Sequence, residues 1–265
     1  IPWGSWLYIK KEHSQELDLP FRKLTELAAE AIRIAALPEK LRITVLFDAF
    51  YLCPKVVHAC QQRQWYYIGV GKKNRCFRVK AGQRKLASYG RNVLKNSGNW
   101  YSIKGLRKTG RYRLAQRTGT MPKLGEVRVI FSQRRNDKSM VALVTNNMKR
   151  SMVKLVADYL KRWAIEVMIK DQKQHLGLGD YRCWRYRAVV RHLHLVDCAH
   201  ACLTHVGIQR HAQGNNKTKH VLSLEPISQL QRQLRQIIWQ EEIKNVIKVS
   251  HDKKVIRRLE KLLAA

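Results

Sequence analysis

Between residues 20 and 37, apolar side chains recur at Leu24, Leu27, Ala28, Ala31, Ile32 and Ala35. That three-and-four spacing predicts an amphipathic helix, which Pro38 stops. Residues 41–47 (LRITVLF) switch to a continuous β-branched apolar run, the pattern of a strand buried on both faces, and lead straight into Asp48. Residues 54–64 predict a short helix and residues 65–70 (WYYIGV) the next strand. Residues 1–9 (IPWGSWLYI) read as an aromatic-rich strand ahead of them. Strand alternating with helix predicts an α/β fold.

Residues 71–150 break the pattern. Glycine and basic residues are frequent, and short strand candidates stand at 112–115, 127–131 and 140–144. A β-rich insertion is expected. Ser151 is a good N-cap for one long helix to about residue 176, before Gly177 and Gly179. A second apolar helix is expected over 188–206, a polar linker over 213–219, and one or two basic amphipathic helices over 229–265. No internal repeat is visible.

Charge changes the picture. The chain has 265 residues, with 52 Lys+Arg against 19 Asp+Glu, a formal net charge of +33. Hydrophobic residues make up 45%, enough for a core, which excludes a disordered basic tail. No apolar run approaches the roughly 20 residues of a membrane span. The excess is uneven: the 77 positions 49–125 hold no Asp or Glu and 18 Lys+Arg. A merely solvated face mixes signs, whereas an acid-free segment suits phosphate. Trp65, Tyr66, Tyr67, Trp100 and Tyr101 are interleaved with it and can stack on bases or build core. Six cysteines without a CxxC in a long chain argue against a disulfide framework and fit a reducing cytoplasm.

Candidate chemistry gathers at two places. Asp48 ends a buried strand, where open α/β sheets place ligands, although a loop Asp or helix cap also fits. On the long helix, Tyr159, Arg162, Glu166 and Lys173 fall at offsets 0, 3, 7 and 14, within roughly 60° of one another. Val153, Val156, Leu160, Val167 and Met168 form the apolar stripe beside them. An ordinary surface ion pair, Arg162 with Glu166 at i, i+4, is the plain alternative. His194, Cys198, Cys202 and His205 mimic a zinc set. On one straight helix the first and last stand roughly 16 Å apart, so they are read as packing residues. Gly69-x-Gly71 lacks the rest of a phosphate loop and reads as a strand end.

The spacing Tyr159-x2-Arg162-x3-Glu166-x6-Lys173, its surroundings (YLKRWAIEVMIKDQKQHLGLGDYRCWRYRAVVRHL) and the strand ITVLFDAFY resemble insertion-sequence DDE transposases over roughly residues 1–210. The resemblance implies a ribonuclease-H-like mixed sheet flanked by helices, interrupted by a β-rich insertion and followed by a helical tail. The expected domains are 1–70 and 151–210 for the core, 71–150 for the insertion and 211–265 for the tail. It implies that Asp48 and Glu166 are the second and third acids of a catalytic triad that binds Mg²⁺ or Mn²⁺, two ions per site. Tyr159, Arg162 and Lys173 would contact transposon-end phosphates. Lys104, Arg107 and Lys108 would contact DNA from the insertion, and Trp100 would hold a flipped base. The implied function is metal-dependent cleavage and strand transfer at transposon ends, by a homodimer in the synaptic complex, in the bacterial cytoplasm at the nucleoid. The family's first Asp has no counterpart, since Asp18 lies in a polar turn, so the chain is expected to be N-terminally truncated and inactive alone. The rival readings are a non-catalytic nucleic-acid-binding protein, a decayed transposase and a ribonuclease-H-like nuclease unconnected with transposition.

Overall fold

The structure is a computed structural model that describes residues 2–80, 82–105, 109–213, 226–248 and 257. The chain divides into two compact units, residues 7–166 and residues 1–6 with 167–265.

The first unit opens with α1 (Lys11–Glu16) and α2 (Leu24–Ile34), then β1 (Thr44–Phe47), α3 (Pro54–Gln62) and β2 (Tyr66–Val70). It continues with β3 (Cys76–Val79), β4 (Gly82–Lys85), α4 (Leu86–Ser97), β5 (Asn99–Lys104), β6 (Thr109–Met121), β7 (Gly125–Arg134) and β8 (Met140–Thr145). After α5 (Met152–Leu160), the division between the units falls inside α6 (Trp163–His175). The second unit adds α7 (Tyr186–Gln213) and α8 (Ile227–Lys248).

The described strands form one mixed sheet in the order β1-β2-β8-β7-β6-β3-β4, with β5 attached to β6. Only β1 and β2 are parallel; the other pairs are antiparallel. A mixed sheet flanked by helices is the expected α/β class. Residues alternate across it. Val129, Phe131, Ala142 and Val144 join the core under α2, α3 and α4. Ile130 and Leu143 join the core on the opposite face, under Leu155 and Val156 of α5. Burial of these apolar faces is the main force holding helix to sheet.

Several expectations are corrected. Residues 2–10 form no strand: none of the eight strands offers them a ladder, and Trp3 packs on Trp6 instead, ring centroids 5.6 Å apart. The three short strands of the basic region are the centres of β6, β7 and β8, which run longer. The helix α4 and the strands β3, β4 and β5 went unforeseen. The single helix from Ser151 is two helices. Ser151 does cap α5, its Oγ accepting from Lys154 N at 3.4 Å. Bonds from Lys161 N to Asp158 O and from Arg162 N to Tyr159 O, at 3.1 and 2.9 Å, then tighten the chain into three-residue turns before α6. Gly177, at φ +73°, follows the end of α6.

In the second unit, α7 buries Val196, His200, Leu203 and Thr204, and α8 contributes Ile227 and Leu230. His194, Cys198, Cys202 and His205 lie exposed instead of packed, because that side of α7 faces away from the buried stripe. The expected linker, beyond Gln213, and the tail beyond α8 lie outside the described residues, apart from Arg257.

Candidate active site

Asp48 is delivered by β1. Phe47, the preceding residue, is buried and stacks on Tyr67, ring centroids 5.9 Å apart. Its ring also covers Gly69, where a Cβ would lie 2.2 Å from it. Only a glycine on β2 leaves room for that ring, so Gly69 has a packing role in fixing the strand end. Asp48 itself is exposed. Its Oδ1 accepts from Phe50 N at 2.9 Å and Tyr51 N at 3.4 Å, an Asx-type turn.

The helix side is seated by a residue the sequence reading passed over. Arg128 of β7 is 7% exposed. Its Nε donates to Gln116 Oε1 at 2.9 Å, and its Nη1 to the carbonyls of Met148 and Arg150 at 3.2 and 2.6 Å. It thereby pins the turn that enters α5. An arginine inside the apolar run Val127–Phe131 was the available signal. Leu155 and Val156 then anchor α5 on the sheet and bring half-buried Tyr159 to its end.

Arg162 sits in the joint between α5 and α6. Its Nη2 donates to Glu166 Oε1 at 2.6 Å, and its Cζ lies 5.9 Å from the centre of the Tyr159 ring. The i, i+4 pair foreseen as the plain alternative is therefore present. Burial, the largest influence, pushes the Tyr159 phenol pKa up. Arg162 opposes the rise, and the charges of both Asp48 and Glu166 add to it. Burial works against the charge on Arg162, but Glu166 and Tyr159 outweigh it, and its pKa is raised. The neighbouring acid Asp158 is paired twice, with Arg150 at 2.6 Å and Lys161 at 2.9 Å, whereas Glu166 is paired with Arg162 and Asp48 accepts from backbone N–H groups.

Lys173 is exposed on α6, seven residues after Glu166. Alternation along β5 puts Tyr101 and Ile103 on the α5 face. Trp100 and Lys104 therefore turn to the α4 face, and the structure does not bring them to Tyr159. Arg107 and Lys108 lie outside the described residues. Of the aromatic residues weighed for base stacking, Tyr67 is core, Trp65 carries Arg63 over its ring at 4.4 Å, and Trp100 is 46% exposed.

Among the described residues, no group of three or more His, Cys, Asp or Glu could hold a metal ion. The pair Asp48 and Glu166 offers hard carboxylate oxygens, the donor chemistry of Mg²⁺, and fits as part of a ligand set.

The profile of the Transposase DDE domain family matches residues 22–202. The chain belongs to that family. No curated protein matches it. Membership makes this a transposase chain, of an enzyme kind that acts on DNA and generally depends on divalent metal. No helix among the described residues is long and apolar enough to cross a membrane.

Proposed function

We propose that this DDE transposase chain contributes Asp48 and Glu166 to a metal-dependent site that cleaves transposon ends and transfers the strand to target DNA. The match to the Transposase DDE domain over residues 22–202 carries the reading, supported by Asp48 at a strand end and by Glu166 held at 2.6 Å by Arg162 beside Tyr159. Mg²⁺ or Mn²⁺ held there would activate the attacking oxygen and stabilise the leaving one.

The chain's own residues have separable parts. Tyr159, a phenol protonated at neutral pH, donates its O–H to a phosphate oxygen near the scissile bond. Arg162 orients Glu166 through one arm of its guanidinium and offers the remaining N–H groups to phosphate. Lys173 supplies a point charge further along the backbone. The first acid of the family is assigned to no residue of this chain. Asp18 lies in the turn after α1, at φ +49°. The two acids described are therefore inactive without it. A homodimer brings two ends together in the synapse, at the bacterial nucleoid.

The test is cleavage of a duplex carrying the terminal repeat by the full-length transposase in Mg²⁺. Glu166→Ala and Asp48→Ala should each abolish cutting while DNA binding persists. Unaltered cutting by either variant overturns the assignment. The Asx-type turn at Asp48 and the Arg162–Glu166 pair also suit a second reading, a non-catalytic or decayed DNA-binding chain, which predicts salt-sensitive binding without cutting. Strand-transfer products separate a transposase from a plain nuclease.

A further inference from the structure

The face of the sheet opposite α5 carries α4, and α4 has an unusual surface. Leu86, Gly90, Val93 and Leu94 face the sheet and are buried. The outward positions are Ser88, Arg91, Asn92, Lys95 and Asn96, all exposed and none acidic. A concave groove runs along each side of the helix. One, of ≈ 280 Å³, is bounded by Arg91 and Lys95 of α4 and by Lys73, Arg113 and Lys138. The other, of ≈ 480 Å³, is bounded by Asn92 and Asn96 of α4 and by Arg84 and Arg117. No Asp or Glu lines either groove among the described residues.

The arginines at the base of the grooves are held in place. Arg113 donates through Nε to Gly98 O and through Nη2 to Lys95 O, both at 3.2 Å, so it is tied to the C-terminal end of α4. Arg117 donates to Ser97 Oγ at 3.1 Å. Arg91 and Lys95 form no ion pair among the described residues. The nearby acid Asp137 is engaged by Ser139 N at 2.7 Å.

We propose that α4 is a reading helix, which enters the major groove of duplex DNA while the phosphates of the two strands lie in the two flanking cationic grooves. The dimensions agree. A helix about 10–12 Å across fits a major groove about 12 Å wide. Twelve residues span about 18 Å, enough to reach across it. The outward residue types also agree: Arg reads guanine and Asn reads adenine through paired hydrogen bonds, while Lys and Ser contact phosphate. The gap left by Gly90 lets the helix lie close to the sheet, with a Cβ there only 2.4 Å from Phe131. This duplex would be bound on the sheet face opposite Tyr159. The proposal rests on the family's DNA substrate and not on the roles of Asp48 and Glu166.

The test is made in EDTA, so that binding is read without cleavage. The 265-residue chain selects from a pool of duplexes with a randomised centre, and affinities for the selected and unselected duplexes are measured over a salt series. Enrichment of a preferred sequence is expected. Arg91→Ala and Asn92→Ala should lower the discrimination at one or two base pairs by roughly ten- to a hundredfold. Lys138→Ala should keep the preference, weaken binding to all duplexes and reduce the salt slope by about one. An unchanged circular-dichroism spectrum certifies each variant, and Arg91→Lys provides a milder second substitution that should shift the preferred base. Absence of any preferred sequence, or a uniform loss of affinity in Arg91→Ala and Asn92→Ala with the preference intact, overturns the proposal.

Discussion

Replacing Arg128 by Met should destabilise the first unit more than any surface change nearby. The guanidinium bonds Gln116 Oε1 and the carbonyls of Met148 and Arg150 from a position 7% exposed. A hydrogen bond to a charged group is worth about 1.5–3 kcal/mol net, and such bonds do not add fully. The partners of Arg128 are neutral, and Gln116, Met148 and Arg150 are themselves exposed, so water replaces part of what the guanidinium gave and the loss is about 1–3 kcal/mol. Two terms offset this. Burial already disfavours the Arg128 charge, as its lowered pKa records, and Met refills part of the volume. A net loss of about 2 kcal/mol remains, which for a unit of this size is about 4–8 °C in melting midpoint. Calorimetry or thermal circular dichroism measures it, with Arg134→Met, an exposed position at the end of the same strand, as the near-silent control. A midpoint for Arg128→Met within about 2 °C of the wild type would refute the reasoning. The same variant should also loosen the entry to α5 and with it Tyr159.

Two further outcomes follow from packing and burial. Gly90→Ala gains about 1 kcal/mol of helix propensity yet should lower the melting midpoint, because its Cβ would meet Phe131 at 2.4 Å and Met140 Sδ at 2.6 Å; a raised midpoint would show that α4 is not seated this closely. Burial pushes the Cys60 thiol from 9.0 to about 12 and raises the Tyr67 phenol pKa as well. The unfolded chain then gives up these protons first, so stability present below pH 9 is lost as pH climbs towards 12. Urea midpoints should fall between pH 8 and 11, and a flat profile contradicts the burial. At pH 8 a thiol reagent should label exposed Cys198 and Cys202 at once and Cys60 only on unfolding.

Elements with strong local patterning were legible in the sequence. The three-and-four stripe of α2, the Pro-led α3 and the β-branched β1 stand where the periodicity put them, give or take a few residues at the ends. Residues 2–10 misled because aromatic β propensity describes fitness for a sheet and cannot supply a neighbouring strand. The α4 helix escaped because its sheet-facing stripe is interrupted by Gly90, which reads as a breaker until Phe131 is seen beneath it. The joint at Lys161 and Arg162 contains no Pro or Gly; nothing local announces it. At the site, the spacing of Tyr159, Arg162 and Glu166 was readable as a pattern. Arg128 and Gly69 were not, because each acts through a partner more than ten residues away in sequence.

The place of β8 in the sheet bears on how this chain can be altered or inherited. Reached only after the long basic excursion that begins beyond β2, it lies between β2 and β7 and bonds to both. The excursion is therefore stitched into the sheet at its far end. Cutting it out as a cassette, β8 included, would strip β2 of one neighbour and uncover Ile68. Grafting it onto another scaffold would require an acceptor sheet with an open edge in matching register. Changes in length are absorbed most cheaply at β4, a strand at the end of the sheet order whose four residues are all exposed.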